Sequence, residues 1–199
     1  MKYEHIRSGL RLLAAVAVVS VGVMLAPVAW AQGGSAANAN MQRMDGLIPG
    51  HTDDMDFLKT ALQADMGEIQ LAQLAVQKAS SNDVKQLAQH LLDDHTKIDD
   101  ELSGKAKEFG VHLEKDISKK DRQTLSKLQG LSGEPFDDNY IVATAKDHKK
   151  SGDDFKDEAA STKDPTLKAI VQRDYDILRQ HLQMIDQTLE SHHLAKAKS

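Results

Sequence analysis

The sequence predicts an all-α fold: an antiparallel four-helix bundle with a long crossover between its second and third helices. Three observations carry this expectation. Aromatic residues make up only 4% of the 199 residues while Ala, Leu, Lys, Gln and Asp abound, a composition that favours helices over strands. Four stretches repeat apolar residues at the three- and four-residue spacing of one helix face. Capping and breaking residues punctuate these stretches where helix ends are needed.

The first residues read as a secretory signal. Lys2, Arg7 and Arg11 are followed by an apolar run from Leu12 to Leu25 and then by Ala29-Trp30-Ala31. The run is about 14 residues, short of the roughly 20 needed to span a bilayer, so residues 1–31 are expected to be cleaved after Ala31 with no stable membrane span left. Cleavage takes away three Lys/Arg and one Asp/Glu, which moves the net charge from −5 to −7. An acidic surface of this kind argues against nucleic acid as a partner. The chain has no cysteine, which excludes both a lipoprotein attachment site and a disulfide framework.

Residues 32–53, rich in Gly, Ala, Asn and Gln and containing Ile48-Pro49-Gly50, read as a flexible leader. Met41 and Met44 offer soft thioethers, but no Met-x-x-Met series follows, so they are linker composition. The expected domain spans 54–193, with a tail at 194–199. Its first helix covers 54–79, capped by Asp53 or Asp54, with the face Phe57, Ala61, Ala64, Glu68, Leu71 and Ala75. The second starts from a Ser80 or Ser81 cap and ends at Gly110; its face is Val84, Leu87, Ala88, Leu91, His95, Ile98 and Leu102.

Residues 111–134 carry Lys115, Lys119, Lys120 and Arg122, a basic stretch that reads as a solvated face and in which only Thr124 to Leu131 looks helical. Its length suits a crossover from one end of a bundle to the other. The third helix begins at Ser132-Gly133-Glu134-Pro135 and shows the face Phe136, Tyr140, Ile141, Ala145, His148, Gly152, Phe155 and Ala159. The fourth opens at Asp164-Pro165 and shows Leu167, Val171, Asp174, Leu178, His181, Met184, Ile185 and Thr188.

Glu68, His95, His148 and His181 thus each interrupt an apolar face near the middle of a helix. Counted from the connecting turns, Glu68 and His95 differ in height by roughly 3 Å and His148 and His181 by roughly 6 Å. Three imidazoles and a carboxylate suit one divalent transition metal, zinc or copper ahead of iron. Burial of a bare Glu68 carboxylate costs several kcal/mol, so it needs a cation, a proton or hydrogen bonds. The competing reading is a metal-free polar layer in which Glu68 bonds to the histidines, helped by Tyr140 or Asp174. Asp94 projects about 100° from His95 and Asp147 stands in the same relation to His148, so both are expected as surface acids. His90 on the polar side of its helix, and His192 and His193 near the end, are not expected to be ligands. No nucleophile with an adjacent base appears, and Gly130 and Gly133 lack a phosphate-loop context, which argues against an enzyme.

Residues 54–193 resemble the secreted bacterial domain-of-unknown-function family 4142, a ferritin-like group. The resemblance rests on Glu68, Asp94-His95-Thr96, Leu131-Ser132-Gly133 with Phe136-Asp137 and Tyr140, Asp147-His148, and His181-Leu182. It implies a ferritin-like four-helix bundle in the bacterial periplasm. It does not bring di-iron chemistry with it. Such bundles use Glu-x-x-His on two helices, whereas Leu92 and Leu178 stand three before His95 and His181, and His148 stands where a Glu would be supplied. The expected function is therefore a periplasmic helical bundle that binds a divalent metal in metal handling or envelope stress. The alternative is a metal-free structural or interaction bundle, and a homodimer is compatible with either.

Overall fold

The computed structural model describes residues 51–196; the expected signal peptide and residues 32–50 of the leader lie outside the described residues. Five helices follow in order: α1 His51–Lys78, α2 Asn82–Glu108, α3 Lys119–Gln129, α4 Gly133–Ser161 and α5 Pro165–Lys196, with no strand among the described residues. The all-helical expectation holds. No described helix is long and apolar enough to cross a membrane.

The ends of these helices follow local chemistry. α1 begins at His51, so Asp53 and Asp54 lie inside its first turn, where they face the positive end of the helix dipole rather than capping it. Ser81 caps α2 by accepting the Asp83 N–H at 3.2 Å. Gly110 closes that helix in the left-handed region (φ 68°), and the Val111 N–H reaches back to Ala106 O at 2.9 Å. Asp164 Oδ1 accepts the Leu167 N–H at 2.6 Å and so caps α5 just ahead of Pro165.

The crossover is more ordered than its composition suggests. Its helix starts at Lys119, five residues earlier than the expected Thr124, because Ser118 and Asp121 form a reciprocal cap: Ser118 Oγ accepts the Asp121 N–H at 3.1 Å and donates to Asp121 Oδ2 at 2.6 Å. The Ser-x-x-Asp spacing is the signal for that start. α3 runs along α1. Gln63 Nε2 donates to Asp116 O at 3.1 Å near the middle of α1, and Lys78 Nζ donates to Gln129 O at 2.6 Å at its end. Gly67 makes this approach feasible, since a Cβ there would stand 2.9 Å from Asp121 Cγ.

At the end reached by α3, Asp137 of α4 ties down the α1–α2 turn. It accepts the Ser80 N–H at 3.0 Å, the Ser81 N–H at 2.8 Å and the Ser80 hydroxyl at 2.6 Å. α4 thus starts where α2 starts, and the crossover has carried the chain the length of the molecule. Each long helix packs on two others: α1 on α2 and α4, and α5 on α2 and α4.

The core is two apolar clusters. One holds Leu71, Ala75, Leu87, Leu91, Phe136, Tyr140, Ile141 and Ile185; the other holds Leu58, Leu62, Ile98, Leu102, Phe155, Leu167, Val171 and Leu178. Every long helix passes from one cluster to the other, and in every case a buried polar residue sits at the crossing: Asp65 and Glu68, His95, His148, or His181.

Candidate metal centre

These polar side chains meet between the clusters. His95 Nε2 is 3.1 Å from His148 Nε2, which is 3.2 Å from His181 Nδ1. Glu68 Oε2 lies 3.0 Å from His95 Nε2 and 3.3 Å from His148 Nδ1, while Ser151 Oγ donates to Glu68 Oε1 at 3.2 Å. All three rings are at most 2% exposed. Helix stagger has absorbed the height offset counted along α4 and α5.

The far nitrogen of each ring is held by an acceptor. His95 Nδ1 bonds to Asp65 Oδ1, His148 Nδ1 to Thr144 O at 3.1 Å, and His181 Nε2 to Asp94 Oδ2 at 3.2 Å. A carbonyl or carboxylate only accepts, so each far nitrogen carries a proton; the near nitrogens of His148 and His181 then turn a lone pair inward, whereas His95 Nε2, which faces the Glu68 carboxylate at 3.0 Å, carries a proton as well, an assignment made from these partners. Outer acceptors that fix ring tautomer and orientation in this way are typical of metal-binding histidines.

The electrostatics divide the rings. Burial pushes His95 down, but the carboxylates of Glu68 and Asp65 outweigh it and raise the ring to about 10. Burial pushes Glu68 up, and the facing His148 and His95 rings overcome it, lowering the carboxyl to about 2. Burial also raises Asp65 to about 6, against the pull of His95. His148 is lowered by burial, and His181 falls to about 3 through burial and then the His148 and His95 charges. One proton on His95 Nε2 therefore serves a centre with three inward nitrogens. It cannot satisfy both N···N contacts at once.

A cation can. The chosen nitrogens of His95, His148 and His181 lie within 4.8 Å of one another, and the group could hold a metal ion. A tetrahedral zinc with bonds of 2.0–2.1 Å places neighbouring nitrogens roughly 3.3 Å apart, close to the spacing observed here. Glu68 Oε2 is buried, 3.0 Å from His95 Nε2 but on the outer, Nδ1, side of His148 at 3.3 Å, so it lies beside the three-histidine group and is not a member of it. A cavity of about 10 Å³, lined by Glu68, His95, His148, Tyr140, Thr144 and Asp147, lies against the cluster and has room for about one water. A wider cleft of about 160 Å³ between α1, α3 and α4 reaches Glu68 from the surface.

The sequence profile of a family described as Domain of unknown function (DUF4142) matches residues 37–188. The chain belongs to that family. No curated protein matches this DUF4142 chain. Among solved structures it is similar to a DUF305 fragment from Deinococcus radiodurans, with a TM-score of 0.62 over 69% of this chain and 95% of that one, at 12% identity. At that identity the likeness speaks for the helical fold alone.

In this DUF4142 chain the three histidines singled out from the sequence form one group, and Glu68 lies beside it against His95 and His148. Three acids depart from expectation. Asp65 was not anticipated: α1 packs on α2, α3 and α4, so its buried arc is wider than one stripe, and the Asp65-x-x-Glu68 pair on one face was the available signal. Asp94 is not a plain surface acid, because its carboxylate reaches across to α5 and holds His181. Asp147 is buried and pairs with Lys120 of α3, whose side chain stays 51% exposed, so the acid departs from the expected solvated face and the lysine does not. Asp174 is fully buried but engaged by Arg173 at 2.7 Å, a separate polar contact. His192 is also buried and lies 3.2 Å from Asp138 Oδ1.

Proposed function

We propose that this protein is a periplasmic, ferritin-like four-helix bundle that binds one divalent transition metal, zinc or copper, through His95, His148 and His181, with Glu68 completing the set. Its role would be metal handling in the envelope. The observation that carries the reading is the trio of inward ring nitrogens at 3.1 and 3.2 Å, each ring fixed from behind by an acceptor, with a metal taking the place of the proton on His95 Nε2. Parallel starts of α2 and α4, joined by a crossover of bundle length, support the ferritin-like build. When bound, such a metal supplies a Lewis-acidic centre in a nearly dry core. The chain's own part is to orient the rings through Asp65, Thr144 and Asp94 and to exclude bulk water.

The test is metal analysis of the mature chain, purified without a His-tag and loaded with zinc or copper, beside His148→Ala and Glu68→Ala. About one tightly held ion in the wild type, lost in His148→Ala and weakened in Glu68→Ala, is the expected result. Substoichiometric metal with an unchanged melting temperature sinks the reading.

A second reading has its own observation: His95 lies between Asp65 and Glu68, a charge-assisted arrangement that stands without metal. On that reading the layer fixes helix register, and His148→Ala lowers the melting temperature equally with and without metal.

A further inference from the structure

His181 has two faces. Its Nδ1 points to His148 in the buried cluster, and its Nε2 points the other way, to Asp94. Asp94 Oδ2 stands 3.2 Å from His181 Nε2 and also 3.2 Å from Nε2 of His90, one turn earlier on α2. His90, Asp94 and His181 thus form a second group whose potential ligand atoms all lie within 4.8 Å of one another. It differs from the first in access: the His90 side chain is 51% exposed and that of Asp94 21%, whereas His181 is 1% exposed. A surface groove between α2 and α5, lined in part by Met184, opens at His90. Lys97 occupies the other Asp94 oxygen, Oδ1, at 2.9 Å and leaves Oδ2 directed at the two imidazoles.

Two nitrogens and a carboxylate oxygen, one wall exposed and the other continuous with the buried cluster, describe a place of capture beside a place of storage. We propose that His90, Asp94 and the Nε2 face of His181 form an outer metal site that takes a divalent transition metal from solvent and passes it, around the edge of the His181 ring, to the buried centre. This rests on the metal reading above and extends it to how the ion gets in. Transfer breaks the metal–Nε2 bond and forms a metal–Nδ1 bond as the ion passes the edge of the ring. With metal at Nε2 the ring's single proton is on Nδ1; on transfer that proton leaves Nδ1 to solvent and Nε2 takes one back through Asp94, so the neutral ring carries one proton before and after. His90 is the member that belongs to the outer group alone.

Metal-free mature protein would be mixed with Zn²⁺ held by a competing chromophoric chelator, and uptake followed by stopped flow for wild type, His90→Ala and His148→Ala, with final zinc content measured in each. The exposed His90 can be replaced without disturbing the core. His90→Ala is expected to reach the wild-type content of the buried site but to load on the order of tenfold more slowly. His148→Ala is expected to keep a fast, weak uptake while losing the tight one. Wild-type loading kinetics in His90→Ala overturn the outer site and leave the buried one standing. Absence of zinc uptake by the wild type overturns the metal reading itself, and the outer site with it.

Discussion

Asp137 on α4 holds the N–H groups of Ser80 and Ser81, at 3.0 and 2.8 Å, across the turn between α1 and α2. One carboxylate with 0% exposure thereby joins the first helical pair to the second at the end where the crossover arrives. Bonds from backbone N–H groups to a carboxylate are among the stronger ones, about 1.5–3 kcal/mol each and not additive. Asp137→Ala is expected to cost on the order of 3 kcal/mol, with a drop in Tm of about 6–12 °C by thermal circular dichroism. Asp137→Asn, which keeps an acceptor, should lose less.

Gly67 is where the crossover touches α1. A Cβ there would stand 2.9 Å from both Cγ and Oδ2 of Asp121. Gly67→Ala forces α3 outward and is expected to destabilise by about 1–3 kcal/mol, even though alanine is the better helix former. In a double-mutant cycle, Asp121→Ala should recover part of that loss, because most of the clashing atoms are gone. Additivity of the two would show that the contact does not govern the cost.

Metal, if bound only by the folded chain, stabilises it by mass action. At a free zinc concentration one hundred times Kd the gain is about 2.7 kcal/mol, which corresponds to a rise in Tm of about 5–11 °C. The rise should be reversed by chelator and absent in His148→Ala. Scanning calorimetry across a zinc series checks this.

At the opposite end of the bundle, burial and then the neighbouring Asp54 and Asp53 raise Glu158 from 4.5 to about 7. The folded state therefore binds more protons than the unfolded one between these values, and this group's contribution to stability falls as pH rises from 4.5 through 7. Glu158→Gln is expected to match the wild type near pH 4.5 and to exceed it by about 2–4 °C in Tm at pH 7.5 and above. A difference that does not change with pH would assign the effect to packing.

The sequence by itself determined the four long helices, the caps at Gly110 and Asp164 and, between Ser80 and Ser81, the start of α2, and the inward direction of Glu68, His95, His148 and His181. Periodicity and capping are local properties, and local properties survive in a string of residues. It missed the start of α3 only because the short Ser118–Asp121 cap was outweighed by lysines that read as solvated.

What the tertiary structure decided is everything that depends on register between helices. A stripe gives the direction of a side chain around its own axis, but the height at which two stripes meet depends on how whole helices slide and pack. That is why His148 and His181 come within 3.2 Å despite their unequal distances from the turn. It is also why Asp65 and Asp94, which no stripe marked, turn out to hold two of the rings from behind. The second face of His181 belongs to the same class: only the packing of α2 on α5 sets Asp94 and His90 against its outer nitrogen, because the neighbours of a ring's two edges come from different helices.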